Sequence, residues 1–291
     1  MYDAASLSEP QIHQRAIGEL RLSMRLRGTE TVLDGLRQMG CLKARFPRPE
    51  RGAWTNAVSL NTSGGIAAGD RLTSAIAIGE GARATIAGQA AERCYRALAG
   101  AAPAQMRTTV AIAPGAAMEW LPQETILFDR CALDRRLEID LAPDAWFLGV
   151  EAIIYGRAAM GEQVGRANFR DTIRVRRGGR LLLHDAILLQ GEVAAKLSRP
   201  AIGAGARAAI GAGARASATL LHVAPQAEAA LEPLREALAD APWGVEWGAS
   251  AWDGLLMARF LAPDGAALRA SLLLAMAALR EGRPVPRVWL C

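Results

Sequence analysis

Short runs in which apolar and polar residues alternate dominate the first three quarters of this chain. In Glu19–Arg27, four apolar side chains alternate with one serine and three arginines, which is the period-two pattern of a strand with one buried face. Similar runs recur and are separated by glycine, proline or aspartate, the residue types that form turns. The sequence therefore predicts an all-β body built from many short strands.

The same alternation predicts nine further strands, and helices only near the end of the chain. The strands are Ala57–Leu60, Leu72–Ile78, Ala82–Ala87, Thr108–Ala113, Leu137–Leu141, Trp146–Ile154, Thr172–Arg176, Leu181–Leu189 and Ala218–Val223. Ala227–Ala239 has a helical composition, with Pro233 either starting or kinking the helix. Asp264–Arg280 carries one apolar stripe at helical spacing, with Asp264 as the N-cap and Gly282 as the stop.

Composition argues against several classes of protein. The longest wholly apolar run, Leu272–Leu279, is far shorter than the roughly 20 residues of a membrane-spanning helix. The N-terminal segment lacks the basic and apolar regions of a secretory signal, so we expect a cytoplasmic protein that contacts no membrane. The net charge of +5 comes from arginines scattered among acids, and only 5% of the residues are aromatic. This distribution does not indicate nucleic-acid binding.

Cysteine and histidine are too sparse for a common metal site or catalytic triad. Cys41, Cys94, Cys131 and Cys291 form no C-x-x-C pair and have no histidine at a ligand spacing, so a structural zinc site is not indicated. We expect all four to be small buried apolar side chains. The three histidines are isolated, and the chain has neither a G-x-S-x-G nor an H-E-x-x-H motif.

A glycine-rich block precedes the first unusual acid. In the segment LNTSGGIAAGD, Gly64, Gly65 and Gly69 permit backbone conformations that other residues avoid, which predicts a compact turn leading to Asp70. The glycine spacing differs from that of a phosphate-binding loop. Asp70 either caps the amides of this turn or offers its carboxylate to a ligand.

Other acids interrupt apolar strands. Glu119 and Glu151 each lie in a hydrophobic run, and Asp185 lies within LLLHDAILL. A carboxylate in such a run faces solvent or needs a cation or hydrogen-bond donors. Arg157, which follows Glu151 by six residues, is one candidate cation for it.

A tandem octad, IGAGARAA followed by IGAGARAS, occupies Ile202–Ser217. Its glycine spacing superficially matches a dinucleotide-binding fingerprint. It follows no βαβ unit, however, and no acidic residue stands at the expected distance. Duplication of a low-complexity loop explains the octad better.

Taken in order, five segments of the chain resemble the UreD family of urease accessory proteins, also called UreH. These segments are Ser63–Asp70 (SGG-x-x-x-GD), Gln89–Ala97 (QAAERCYRA), Glu119–Phe128 (EWLPQETILF), Glu151–Glu162 (E-x-x-x-x-GR-x-x-x-GE) and Pro286–Leu290 (PRVWL). Each segment alone is weak, but their joint order and spacing across nearly the whole chain are specific.

The resemblance implies a single domain with a right-handed β-helix-like, solenoid-like scaffold. A β body over residues of about 18 to 223 would be followed by a C-terminal part, residues of about 224 to 291, with two flanking helices. It implies a non-enzymatic nickel-insertion chaperone that joins UreF and the GTPase UreG on apo-urease, with a dimer within that complex as one option. No cofactor is expected to be tightly bound, and Ni²⁺ would pass through transiently.

An internal nickel route requires ligands that release the ion, and isolated carboxylates suit this better than cysteine or histidine clusters. The expected route residues are Asp70, Glu151 and Asp185, with Glu119 and Glu162 as weaker candidates and Gly64, Gly65, Gly69 and Arg157 as structural support. In the competing structural interpretation, Asp70 caps its turn and Glu151 pairs with Arg157. The alternative function is a β-solenoid glycoside-processing enzyme with paired carboxylates.

Overall fold

The alternating segments form two mixed β-sheets in the computed structural model, which describes residues 14–194 and 213–290. In chain order, the strands of these ranges are β1 (Ile17–Arg27), β2 (Glu30–Gly40), β3 (Leu42–Arg45), β4 (Thr55–Asn61), β5 (Arg71–Ile78), β6 (Arg83–Gly88), β7 (Glu92–Cys94), β8 (Ala104–Ile112), β9 (Ala117–Leu121), β10 (Thr125–Leu127), β11 (Ala132–Leu141), β12 (Trp146–Tyr155), β13 (Arg166–Arg177), β14 (Arg180–Glu192), β15 (Ala216–Val223), β16 (Glu246–Trp252) and β17 (Leu255–Ala262). The helices are α1 (Leu231–Leu238) and α2 (Gly265–Leu279), with short 3₁₀ helices at Ala158–Met160, Ala227–Ala230 and Arg287–Trp289.

All ten predicted strands are confirmed, although β8, β11 and β13 begin four to six residues earlier than predicted. The strand-dominated fold class is confirmed with them. The C-terminal part also contributes β16 and β17, which the sequence did not predict. Residues 202–212 of the octad duplication lie outside the described ranges.

The chain passes repeatedly from one sheet to the other. The seven-stranded sheet has the order β14-β13-β11-β8-β5-β1-β2. The ten-stranded sheet has the order β16-β17-β15-β12-β9-β6-β4-β3, with β10 and β7 attached beside β12. Between β4 and β13, the long strands alternate between the sheets, and neighbours within each sheet are parallel. Antiparallel pairs close both ends of both sheets.

Two cores lie on opposite faces of the ten-stranded sheet. Between the sheets, Met24 of β1 packs in one cluster with Met118 and Phe147 of the ten-stranded sheet, and we call this the inter-sheet core. On the other face, Leu220 of β15 packs in one cluster with Leu272 of α2, and we call this the helix-side core. Because both faces of this sheet are covered, its central strands are apolar almost throughout.

The helices begin and end at their predicted signals. The Asp264 carboxylate accepts a hydrogen bond from the Ala267 amide at 2.8 Å, which caps α2. Gly282 has a positive φ of 76° just past the helix end. Pro233 lies in the first turn of α1, where its missing N–H costs no intrahelical bond. No helix of the described ranges has the length and apolarity needed to cross a membrane.

The cysteines largely follow the prediction. Cys94 and Cys131 are buried in the inter-sheet region, and Cys41 is half-buried. The neighbouring Cys131 thiol, together with burial, raises the pKa of Cys94 and keeps it protonated. Cys291 lies outside the described residues.

Candidate functional site

One arginine and two carboxylates form a buried cluster between the sheets, which we call the Glu151 cluster. Glu151 of β12 points into the inter-sheet core because it has the same parity along the strand as Phe147. Arg135 of β11 and Asp171 of β13 face it from the seven-stranded sheet. Arg135 Nη1 lies 2.7 Å from Glu151 Oε2, and Arg135 Nε and Nη2 donate to the two Asp171 oxygens at 3.0 and 2.6 Å.

Two further hydrogen bonds hold this cluster in place. Trp120 Nε1 donates to Glu151 Oε1 at 2.8 Å, and Arg135 Nη1 donates to Thr125 Oγ1 at 3.0 Å. Burial raises the pKa of Glu151 and the Asp171 charge adds to this, while Arg135 and the Trp120 hydrogen bond oppose it. With both acids ionised, the cluster carries one negative charge that Arg135 does not neutralise.

A cavity of about 510 Å³ adjoins the Glu151 cluster, and we call it the acidic cavity. Glu151 and Asp171 both line it. On its wall, the Tyr155 and Ser217 hydroxyl oxygens are 2.8 Å apart, and burial raises the pKa of Tyr155, so the phenol stays neutral. Arg259 also lines this cavity. The lining is otherwise mostly apolar, with Ile187, Leu189 and Phe260 among its residues, so the acidic groups occupy one side of the cavity.

A smaller cavity of about 190 Å³ has Trp120 in its wall, and we call it the small cavity. Because the Trp120 indole donates to Glu151, this pair connects the walls of the two cavities. Glu92 also lines the small cavity and accepts a hydrogen bond from Asn61 Nδ2 at 3.0 Å. Burial raises the pKa of Glu92. Carboxyl groups thus line both spaces.

Asp185, a predicted route residue, lies at the edge of this region. It occupies an inward-facing position of β14, and its carboxylate pairs with Arg259, which lines the acidic cavity. The structure therefore brings Asp185 and Glu151 to the same part of the molecule through Arg259.

Asp70 lies elsewhere, in the turn before β5, and makes the contacts of the structural alternative. Its Oδ1 accepts from the Ala16 amide and its Oδ2 accepts from the Ala67 amide, each at 2.8 Å. The residue is buried. The carboxylate thus fixes both the turn and the segment leading into β1.

The predicted glycines shape that turn. Gly64 and Gly69 adopt positive φ values of 79° and 91°. At Gly65, a β-carbon would lie 2.5 Å from Tyr95 Cε2 and 2.7 Å from the Arg93 carbonyl oxygen, so only glycine fits. The Tyr95 hydroxyl donates to the Gly64 carbonyl at 2.6 Å. These glycines let the turn pack directly against the chain that follows β7.

Glu119 lies on the helix side of the ten-stranded sheet, in what we call the Glu119 cluster. Arg280 Nε and Nη2 donate to its two oxygens, each at 2.9 Å, and Arg283 Nε and Nη2 both lie 3.2 Å from Oε1. Thr85 Oγ1 donates to Oε2 at 2.6 Å. Glu119 and Arg280 are almost wholly buried. This cluster ties β9 to the segment after α2.

The predicted pairing of Glu151 with Arg157 is wrong. Arg157 Nε instead lies 2.7 Å from Glu162 Oε2, and this hydrogen bond lowers the pKa of Glu162. Gly156, with a φ of 78°, turns the chain at the end of β12, so Arg157 leaves the inter-sheet core and its side chain is 40% exposed. Glu162 and Arg157 therefore stabilise a loop.

Comparison with known proteins covers nearly all of the chain. The family model described as UreD urease accessory protein matches residues 16–290. This chain belongs to the UreD family. A urease accessory protein UreD from Methylobacterium sp. (strain 4-46) is 45% identical over 280 residues, which is 95% of each chain. The UreD of Xanthobacter autotrophicus is 45% identical over 98% of this chain and 93% of its own, and that of Rhizobium leguminosarum bv. trifolii is 44% identical over 99% of each.

Within this UreD-family chain, the predicted route residues fall into separate groups. Glu151 and Asp185 lie near the acidic cavity, whereas Asp70, Glu119 and Glu162 lie in other contacts. Among residues 14–194 and 213–290, no three histidine, cysteine, aspartate or glutamate side chains converge as a metal-binding group.

Sequence reasoning missed Arg135 and Asp171, the other two members of the Glu151 cluster. A signal for both exists in the alternation. Arg135 stands between Leu133 and Leu137 at inward positions of β11, and Asp171 stands at an inward position of β13. A charged residue at the apolar parity of a strand needs a buried partner, and the two residues pair directly across neighbouring strands.

Proposed function

We propose that this UreD-family chain is a nickel-insertion scaffold for urease. In this proposal it assembles with UreF and the GTPase UreG on apo-urease in the cytoplasm, and helps to deliver nickel to the urease active site in a GTP-dependent step. Nickel is cargo that passes through, and the scaffold itself catalyses no reaction. Family membership supports the accessory role, and the Glu151 cluster at the acidic cavity carries the proposal of an internal route.

The chemistry of the Glu151 cluster suits a passing cation. Two carboxylates facing one guanidinium leave a negative charge beside the acidic cavity, which favours entry of a cation. Carboxylate oxygens hold Ni²⁺ less tightly than imidazole or thiolate groups would, so the ion can leave again. The small cavity, on the other side of the Trp120–Glu151 hydrogen bond, places a further carboxyl group, Glu92, beside this region.

The decisive experiment replaces Glu151 with its neutral isostere. Urease subunits and accessory proteins are coexpressed in nickel-supplemented cells with the Glu151→Gln chain, and urease activity, urease nickel content and complex assembly are measured. We expect activity and nickel content to fall several-fold while the complex still assembles. The matched control is Glu138→Gln on the exposed face of β11, which should leave all three measurements unchanged.

Two outcomes would contradict the proposal. If urease activity is unchanged when the chain is omitted altogether, the accessory role is wrong for this chain. If Glu151→Gln abolishes assembly as well as activity, the Glu151 cluster is structural and not a route. For Asp70→Asn we apply the same criterion, since its two amide hydrogen bonds favour the structural interpretation.

The glycoside-processing alternative gains no support from this geometry. The alternative needs two carboxylates with room for a sugar between them, whereas Glu151 and Asp171 are bridged by the buried Arg135. Turnover of a sugar substrate by the purified chain alone would be needed to revive it.

We also propose that the winding of the chain is that of a right-handed β-helix-like scaffold. The alternation of strands between two sheets with parallel neighbours supports this, since parallel crossover connections are right-handed in about 98% of cases. An experimental structure with left-handed turns would contradict it. We further propose that this chain can form a dimer within the accessory complex. Sedimentation of the assembled complex measures its subunit content and tests this proposal.

A further inference from the structure

The Arg135 guanidinium contacts more acceptor groups than a simple ion pair would. All three of its guanidinium nitrogens are used: Nη1 on Glu151 and Thr125, and Nε and Nη2 on Asp171. Its side chain is 8% exposed. Because a planar guanidinium with this many donors fixes the direction of its acceptors, Arg135 positions both carboxylates.

The two carboxylates are not saturated by these contacts. Glu151 Oε1 accepts from Trp120, Glu151 Oε2 faces Arg135, and each Asp171 oxygen accepts one hydrogen bond from Arg135. A carboxylate oxygen has two lone pairs, so each of the four oxygens keeps one acceptor position. Both side chains line the acidic cavity, and this remaining capacity is reachable from it.

The Glu119 cluster shows the contrast within the same molecule. There, Oε1 takes donors from Arg280 and Arg283, and Oε2 takes donors from Arg280 and Thr85. A cluster that serves only to join elements therefore fills its acceptors and surrounds one acid with two arginines. The Glu151 cluster instead places one arginine between two acids and leaves acceptor positions unfilled.

Arg135 also changes what an arriving cation experiences. Without the guanidinium, a divalent ion at the two carboxylates would meet two negative charges, whereas with it the ion meets a net single charge and a fixed cation beside it. Interactions between charges a few ångströms apart are strong in a buried site, where solvent screens them poorly. The arginine therefore lowers the affinity of the very carboxylates that it positions.

We propose that Arg135 prevents a divalent cation from residing at Glu151 and Asp171: it holds the two carboxylates in place toward the acidic cavity and weakens their grip by its charge, so that the ion passes on. This inference rests on the proposed function, in which nickel is the cargo. Arg135 thus positions two carboxylates and also lowers their affinity for the cation. An ion pair that only stabilises the fold would do neither of these things.

The test measures nickel binding by the full chain, with nickel chloride as the probe in equilibrium dialysis. Removal of the charge in Arg135→Met should tighten nickel binding by about tenfold or more, because one repulsive charge near the ion is lost. Arg135→Lys keeps the charge and should stay near the wild-type affinity. The double variant Arg135→Met/Glu151→Gln should lose the gain, since one of the two carboxylates is gone.

A second readout connects this binding to nickel transfer. In the coexpression assay, Arg135→Met should lower urease activation while nickel co-purifies with the accessory complex, and Arg135→Lys should restore activation. Nickel affinity that is unchanged or weaker in folded Arg135→Met overturns the inference. If that variant does not fold, Arg135→Gln/Asp171→Asn keeps the net charge of the cluster, and tighter nickel binding by it would also overturn the inference.

The proposed function and this inference fail differently. Normal urease activation by the Glu151→Gln chain would reject the route itself. Impaired activation by Glu151→Gln, combined with no gain of nickel affinity in Arg135→Met, would keep the route and reject the role of Arg135.

Discussion

Glu119 and Glu151 occupy apolar strands of the same sheet, β9 and β12, yet they serve opposite arrangements. Glu119 faces the helix-side core, where two arginines and a threonine fill its oxygens. Glu151 faces the inter-sheet core, where it shares one arginine with a second acid and lines a cavity. Both glutamates are buried, so burial does not distinguish the two clusters. The ratio of acids to arginines does: the Glu119 cluster has one acid and two arginines and joins elements of the fold, whereas the Glu151 cluster has two acids and one arginine and keeps free acceptor positions.

The largest expected effect is on stability, from Glu119→Gln. This change leaves Arg280 and Arg283 buried with no carboxylate between them, and breaking a buried ion pair in this way costs about 3–5 kcal/mol in the free energy of unfolding. Urea unfolding followed by tryptophan fluorescence measures the loss. The control is Glu281→Gln, which removes an exposed partner of Arg283 and should cost less than about 1 kcal/mol. Equal losses in both variants would show that the buried ion pairs of Glu119 do not stabilise the fold more than an exposed pair does.

A smaller loss is expected when one acid is removed from the Glu151 cluster. Asp171→Asn leaves Arg135 paired with Glu151, so the remaining cluster is neutral and no cation is orphaned. We expect a decrease of about 1–3 kcal/mol in the free energy of unfolding, from the weakened charged hydrogen bonds. The same urea titration compares it with Glu119→Gln. If Asp171→Asn is the more destabilising of the two, the distinction between the clusters by charge ratio is wrong.

The smallest effect concerns His222, which lies near the Glu119 cluster. Burial lowers its pKa, and the Arg283 charge adds to this, while the hydrogen bond from Nδ1 to the Phe147 carbonyl and the Glu281 charge oppose it. The unfolded chain binds this proton at about pH 6.5, and the folded state keeps His222 neutral to a lower pH. Its contribution to stability is present above about pH 6.5 and is lost as the pH falls toward the lowered value.

The variant His222→Gln isolates this contribution, because other acid-sensitive groups are common to both chains. Urea unfolding of both chains at pH 7.5 and pH 5.5 gives the comparison. The stability advantage of the native chain over the variant should shrink at the lower pH. An advantage that stays constant or grows would show that burial does not keep His222 neutral.

Much of the fold could be predicted because its signals are local. Alternation along β1 or β5 reports one buried face, and the Asp264 cap and Gly282 stop delimit α2 from neighbouring residues alone. β2 was missed because it is an edge strand in which Leu33 and Leu36 stay substantially exposed, so its burial is weak and its register to β1 shifts at a bulge.

The candidate site was only partly predictable. The sequence singled out Glu151 as an acid in an apolar strand, but it offered Arg157 as partner because that residue is near in sequence. The actual partner, Arg135, lies on a strand of the other sheet. Its pairing with Asp171, 36 positions later in the chain, depends on the register between β11 and β13. The only local sign of such a contact is a charged residue at a position that the alternation assigns to the buried face of a strand.

By itself, the sequence determined the strand-rich fold, the late helices, the glycine turn at Asp70 and membership of the UreD family. Local backbone preferences and ordered motifs are sufficient for these. Only the tertiary structure decided which face each buried glutamate takes, since both faces of the ten-stranded sheet are covered and the apolar residues around Glu119 and Glu151 look alike. Which arginines meet which acids follows from that choice of face, because a buried carboxylate must find its cation among the side chains that share its layer.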